Sequence, residues 1–158
     1  MALNFRRVVT GHDAQGRAIV QIDEMAKQQA STRPGATACV VWTTEGFPVD
    51  NNGNADAGLR RTGTTLDNGT VFRLLELAPG ASPRNHRTDS IDYAVVMSAE
   101  IDMELDGSSV HLKAGDVLVQ RGTMHNWVNR GSEPCVIAFV LIAANSVTAG
   151  GKVLPARG

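Results

Sequence analysis

The 158 residues carry 15 Lys and Arg against 16 Asp and Glu, a formal net charge of −1, and 42% of them are hydrophobic. That supplies one domain with a packed core, while the even charge balance, with no basic patch or acidic tail, excludes nucleic acid and anionic membranes as expected partners. The best apolar run, "VIAFVLIAA", is too short to span a bilayer, and "MALNFRRVVTG" has no apolar stretch after its arginines, so a cytoplasmic protein without a secretory signal is expected.

The helical period is nearly absent. "FRRVVTG" and "RAIVQI" read as two strands joined by a turn at "HDAQG". The run of helix formers "DEMAKQQAS", Asp23 to Ser31, predicts a short helix that stops before Pro34 and Gly35. A strand over Ala38 to Thr44, "ACVVWTT", then leads into a long polar stretch, 45–68, rich in Asn, Gly, Asp and Thr. A loop of that length inside a compact domain is usually functional, and a flap or a subunit contact is expected here.

From Thr70 the pattern tightens. "TVFRLLELAPG" is a strand closed by a Pro-Gly turn, and "IDYAVVMSAEIDMEL" holds one or two strands with a bend near Ser98 and Ala99. Asp106-Gly107 suits a tight hairpin turn with positive φ. "VHLKAGD", "DVLVQRG", "HNWVNRG" and "PCVIAFVLIA" continue a meander at a spacing of roughly ten residues. The tail, 145–158, has no period and is expected to be extended or frayed. Cys39 and Cys135 each precede β-branched apolar residues, which predicts buried free thiols. Together these segments predict an all-β sandwich or barrel over 1–158.

Four histidines occur. His12, in a turn, and His111, in a short alternating strand, read as solvated surface groups. His86 and His125 sit instead in polar clusters flanked by apolar strands. In an extended chain residues two apart share a face, so His86, Thr88, Ser90 and Asp92 project together, as do His125, Trp127 and Asn129. Two such strands side by side gather two imidazoles and one carboxylate, a set that leaves open positions on a divalent metal. A hydrogen-bonded histidine pair without metal is the competing reading. On "TVFRLLEL" either Arg73 or Glu76 points inward, and a buried arginine suits a carboxylate clamp. Arg84 and Arg87 flank the first cluster and suit its mouth. Tyr93 faces away from Asp92 by parity, and turned inward it becomes a hydrogen-bond donor or general acid. Trp127 suits an aromatic wall, and Met97 and Met103 suit the barrel interior.

"PGASPRNHRTDSIDYAVVMSAE" followed by "AGDVLVQRGTMHNWVNRG" resembles the two motifs of the cupin superfamily, and the chain looks like a small, single-domain, RmlC-like cupin over roughly residues 70–142. Gly80, five residues and His86 match the start of the first motif, Asp92 takes its glutamate position and Ala99 its last glycine. Gly115-Asp116 matches the opening of the second motif, and Gly122, His125 and Asn129 match its end. Thr88 replaces the second histidine of His-x-His, and Gln120 and Arg121 stand where a proline is usual.

The resemblance implies a double-stranded β-helix, or jelly-roll, barrel with a short N-terminal helix at most. It implies a homodimer exchanging N-terminal strands and a divalent metal (Fe, Mn, Ni or Zn) on His86, Asp92 and His125. No nucleotide or organic cofactor is expected. The ligand would be a small carboxylated or hydroxylated molecule touching Arg73, Thr88, Tyr93 and Trp127. Three functions stay open: a metal-dependent dioxygenase, decarboxylase or isomerase; a metal-free enzyme with His125 or Asp92 as acid–base group; and a non-catalytic binding module.

Overall fold

The computed structural model describes residues 3–158. Its first element is a lone hairpin of β1 (Arg6–His12) and β2 (Ala18–Met25). A six-stranded antiparallel sheet follows, built from β3 (Gln29–Arg33), β4 (Ala36–Glu45), β5 (Gly69–Leu77), β6 (Ser90–Ser98), β9 (Val117–Arg121) and β11 (Cys135–Ala143), in the order β3-β4-β5-β11-β6-β9. Facing it is a three-stranded sheet, β10-β7-β8, made by β7 (Glu100–Glu104), β8 (Ser109–Lys113) and β10 (Asn126–Val128). This is the all-β sandwich expected from the strand spacing, in the jelly-roll form that the resemblance implies. Among the described residues, no helix is long and apolar enough to cross a membrane.

Alternation along the strands makes the core. On β11, Cys135, Ile137, Phe139 and Leu141 are buried, and the residues between them are half-buried on the outer face. They pack with Val71, Leu75 and Leu77 of β5, Ala94 and Val96 of β6, and Ile101, Met103, Leu112 and Trp127 of the smaller sheet. Leu74 is buried on the opposite face of β5, with Cys39, under Leu3 and Ala26 of the N-terminal segment. Both cysteines are buried and unpaired.

The chain changes sheets between β6 and β7 at Ala99, whose φ of 55° bends it away from β11. A left-handed conformation there explains why glycine is usual at this motif position.

Two expectations need correcting and two are sharpened. Asp23 to Ser31 is not helical: it ends β2 and enters β3. Arg6 and Arg7 pair with Asp23 and Glu24 across the hairpin, and Gln29 aligns with Cys39 on β4, so tertiary pairing overrides helix propensity. The tail is not frayed, because β12 (Val147–Ala149) and β13 (Lys152–Leu154) form a hairpin and Arg157 bridges to Arg87. Met97 does not fill the barrel: it is 52% exposed on the outer face, whereas Met103 is core. Finally, the 45–68 stretch, expected as a flap or a subunit contact, is anchored to the barrel at several points. Buried Arg7 holds Asp56 at 2.6 Å, Thr43 Oγ1 donates to the Ala57 carbonyl and Arg60 pairs with Glu45.

Candidate functional site

The two polar clusters meet at one point. His86 and His125 form an isolated antiparallel bridge, each backbone N–H donating to the other's carbonyl at 2.9 and 3.0 Å. Their rings lie 4.2 Å apart between centroids. His86 Nδ1 is 3.0 Å from the Arg84 carbonyl and His125 Nδ1 is 2.9 Å from the Thr123 carbonyl. A carbonyl only accepts, so each Nδ1 carries the proton and each Nε2 keeps its lone pair. This is how backbone acceptors commonly orient metal-binding histidines. Burial, with His125 adjacent, pushes His86 down to about 4, and burial also lowers His125, so both rings are neutral at neutral pH.

Parity places the rest of the first cluster as expected: Thr88, Ser90 and Asp92 are all buried. They form a hydrogen-bonded row, with Ser90 Oγ 2.8 Å from Thr88 Oγ1 and donating to Asp92 Oδ1 at 2.6 Å. Burial raises the Asp92 carboxyl, opposed by the Ser90 hydroxyl and the Arg73 charge. Directly across from Asp92 on β9 is Gln120. Its Nε2 donates to Asp92 Oδ2 at 3.0 Å and to His125 Nε2 at 3.2 Å. The anticipated set of His86, Asp92 and His125 is therefore not assembled as drawn. Among the described residues no three His, Cys, Asp or Glu side chains converge as a cation cage, because the Gln120 amide lies between Asp92 and His125.

His86, Asp92 and His125 line a cavity that encloses about 30 Å³ and is partly open to solvent. That is room for an ion or one or two waters. One wall is aromatic: Trp127 stands edge-on to His125 and to Phe139, at 6.2 and 5.7 Å. The other is cationic, with Arg33, Arg73 and Arg84 all in the lining. Arg33 donates to the Ser82 carbonyl, and Arg84 donates to Thr64 Oγ1. Among the described residues, Arg73 has no hydrogen-bond partner for its guanidinium. Burial and the charges of Arg84 and Arg33 lower it to about 10, against the weaker pull of Asp92.

Of the predicted contact residues, Arg73 and Trp127 line the cavity; Thr88 is one step behind it, tied to Ser90. Tyr93 is not brought in: it is 50% exposed on the outer face, opposite Val119 and Val140. Asn129 is structural, donating to the Leu77 and Glu133 carbonyls. His111 is on the surface with Asp102.

Sequence reasoning missed Arg33 and Thr64, and treated Gln120 only as a departure from a motif. Gln120 had a readable signal, since it shares an inward face with Leu118 in "DVLVQRG", and a polar group on a core face needs partners. Arg33 lies on the strand mistaken for the end of a helix, and nothing in its local pattern marks it.

Whether these side chains fit a metal can be tested on the donors. Two neutral imidazoles present lone pairs, and the buried Gln120 Oε1 has no hydrogen-bond partner. Imidazole nitrogens and an amide oxygen are donor types that suit a divalent cation, once the Gln120 amide gives up its hydrogen bonds to Asp92 and His125.

The cupin-domain family model matches residues 73–142. The chain is 34% identical over 154 residues to the cupin-domain-containing oxidoreductase fogC of Aspergillus ruber, covering 92% of this chain and 76% of that protein. It is 36% identical over 159 residues to phomopsin biosynthesis cluster protein C' of Diaporthe leptostromiformis, covering 94% and 83%. In fold it is similar to the polyketide cyclase RemF from Streptomyces resistomycificus, with a TM-score of 0.52, 17% identity, and 84% and 78% of the two chains covered. An RmlC-like cupin from Shewanella frigidimarina superposes with a TM-score of 0.50 at 14% identity, covering 74% and 84%.

Proposed function

The chain belongs to the cupin family, and on that premise we propose that it is an oxidoreductase for a small organic acid. It works at a divalent metal held by His86 and His125, with Asp92 alongside. The observation that carries this reading is the pair of carbonyl-oriented imidazoles facing an unpartnered arginine across one cavity. The name of the Aspergillus relative supports the redox class. The metal, whether Fe, Mn, Ni or Zn, supplies Lewis-acid or oxygen-activating chemistry when bound.

The chain's own residues do the rest. Arg73, backed by Arg33 and Arg84, binds the substrate carboxylate, because three guanidinium groups face the single carboxylate of Asp92 in the lining. Trp127 and Phe139 hold the apolar body and keep water from the histidines. The Thr88–Ser90 row fixes Asp92, which is placed to hold or release a proton.

A metal-free acid–base enzyme or binding module is the second reading. It is favoured by one observation: Gln120 already hydrogen-bonds both Asp92 and His125. Metal analysis of untagged protein after reconstitution with Fe(II), Mn(II), Ni(II) and Zn(II) separates the two. Near-stoichiometric metal supports the first reading, and substoichiometric metal for all four ions sinks it. In that second case His125→Ala decides further, since an enzyme loses turnover far more than ligand affinity.

A homodimer belongs to the same proposal. The β1–β2 hairpin pairs with no strand of either barrel sheet, is tied to β4 through Arg7 and the Val41 carbonyl, and exposes Val8, Ile19, Val20 and Met25. An isolated two-stranded hairpin is marginal alone in water. Beside it in kind, the outer face of β6 and β9 shows Tyr93, Val95, Met97, Val117 and Val119, an apolar patch of the sort that mediates association. A light-scattering mass equal to one chain refutes it. The two buried free thiols suit a reducing compartment, the cytoplasm.

A further inference from the structure

Gln120 is 3% exposed, and its two amide atoms are used very unequally. Nε2 serves two acceptors at once, Asp92 Oδ2 and His125 Nε2, while Oε1 has no partner among the described residues. Buried amides seldom leave an oxygen unsatisfied, so the reason for this orientation is informative. Turning the amide over would set Oε1 against a carboxylate oxygen and an imidazole lone pair. Three acceptors would then face one another, which is unfavourable in a buried site.

A cation reverses that sign. With a divalent ion present, the same three lone pairs become donors converging on it. The imbalance at Gln120 is thus what a donor set looks like when a hydrogen-bonding amide stands in for the ion.

We propose that Gln120 is a metal ligand through Oε1. Its amide turns over on cation entry, so that Oε1 takes the place now held by Nε2, which lies 3.0 Å from Asp92 Oδ2 and 3.2 Å from His125 Nε2. This supplies an oxygen donor from β9, where Thr88 on the first cluster offers none suited to a borderline metal. The turned amide also releases Asp92 and His125 from their hydrogen bonds, so ligand recruitment and cation entry are one event. The inference rests on the metal reading above.

The test compares wild type with Gln120→Leu, which removes the oxygen at similar size, and Gln120→Glu, which keeps it. Co(II) serves as probe, with affinity read by competition against a chromophoric chelator and ligation read from the visible d–d absorption bands. Side-chain amide signals in ¹⁵N–¹H spectra are followed during Zn(II) titration. Gln120→Leu should bind Co(II) at least tenfold more weakly with shifted bands. Gln120→Glu should bind as tightly as wild type or more so. The Gln120 amide signals should move at one equivalent of Zn(II). Wild-type affinity and bands in Gln120→Leu overturn the assignment and leave the metal reading standing. If Gln120→Leu does not fold, wild-type amide signals unmoved by bound Zn(II) overturn it equally. If wild type binds neither ion, both readings fall together.

Discussion

Arg73→Met should make the protein more stable while abolishing its affinity for carboxylates. Arg73 sits mid-strand on β5, facing the cavity, with Arg33 and Arg84 in the same lining and, among the described residues, no hydrogen bond from its guanidinium. Burial holds it at about 10, well below the ordinary arginine range, because the fold tolerates that charge poorly. A depression of that size corresponds to about 3 kcal/mol, and solvent screening through the open cavity reduces it to about 1–2 kcal/mol. The sign follows from linkage: the folded group is harder to protonate than the unfolded one. The penalty is therefore full at every pH below about 10 and relieved only above it. Methionine keeps most of the buried stem and drops the charge. In a domain of this size each kcal/mol moves the Tm by about 2–4 °C, so a rise of about 2–8 °C at pH 7 is expected. Scanning fluorimetry of both proteins checks it, repeated with millimolar benzoate, which should raise the Tm of wild type and not of Arg73→Met. A Tm in Arg73→Met equal to or below wild type shows that the guanidinium is already compensated and refutes the argument.

In metal-free protein, acid should unfold the chain partly through His86. The unfolded ring titrates near 6.5 and the folded one at about 4, so the unfolded state takes the proton first and stability falls as pH drops through that window. Urea midpoints measured in chelator from pH 7 to pH 4 should decline, with a shallower slope in His86→Asn. Ala99→Gly should raise the urea midpoint by the equivalent of about 0.5–1 kcal/mol, since it relieves a left-handed alanine at φ 55°. Arg7→Met should cost up to about 3–5 kcal/mol, because buried Arg7 ties Glu24 of the hairpin to Asp56 of the long loop. Limited proteolysis should then cut within 45–68 faster than in wild type, and an unchanged cleavage rate counts against that anchor.

Most of the strands were legible because they bury one face and so alternate. "PCVIAFVLIA" gives its inward set by parity alone, and the same rule put His86, Thr88, Ser90 and Asp92 on one face, where the structure has them. What alternation cannot show is which strand pairs with which. Gln29–Arg33 is a strand only because β4 lies beside it, and that pairing hides Arg33 from any local reading. Likewise, Gln120 matters because Asp92 is its cross-strand neighbour, a register fact set by the whole sheet. Met97 was misplaced for the opposite reason: its type suggested core, while its parity with Tyr93 and Val95 already put it outside.

The bridge between His86 and His125 also decides when a metal can be captured. The two histidines are separated by a long span of chain and meet only once β6, β9 and β10 are in place. With Thr88 where a nearby histidine is usual, the unfolded polypeptide has no local chelate in that cluster to seize whichever ion is most abundant. Any metal this chain takes up is therefore selected by the finished pocket, after folding and against its geometry. Ions that win by raw affinity for loose histidines hold no advantage during synthesis.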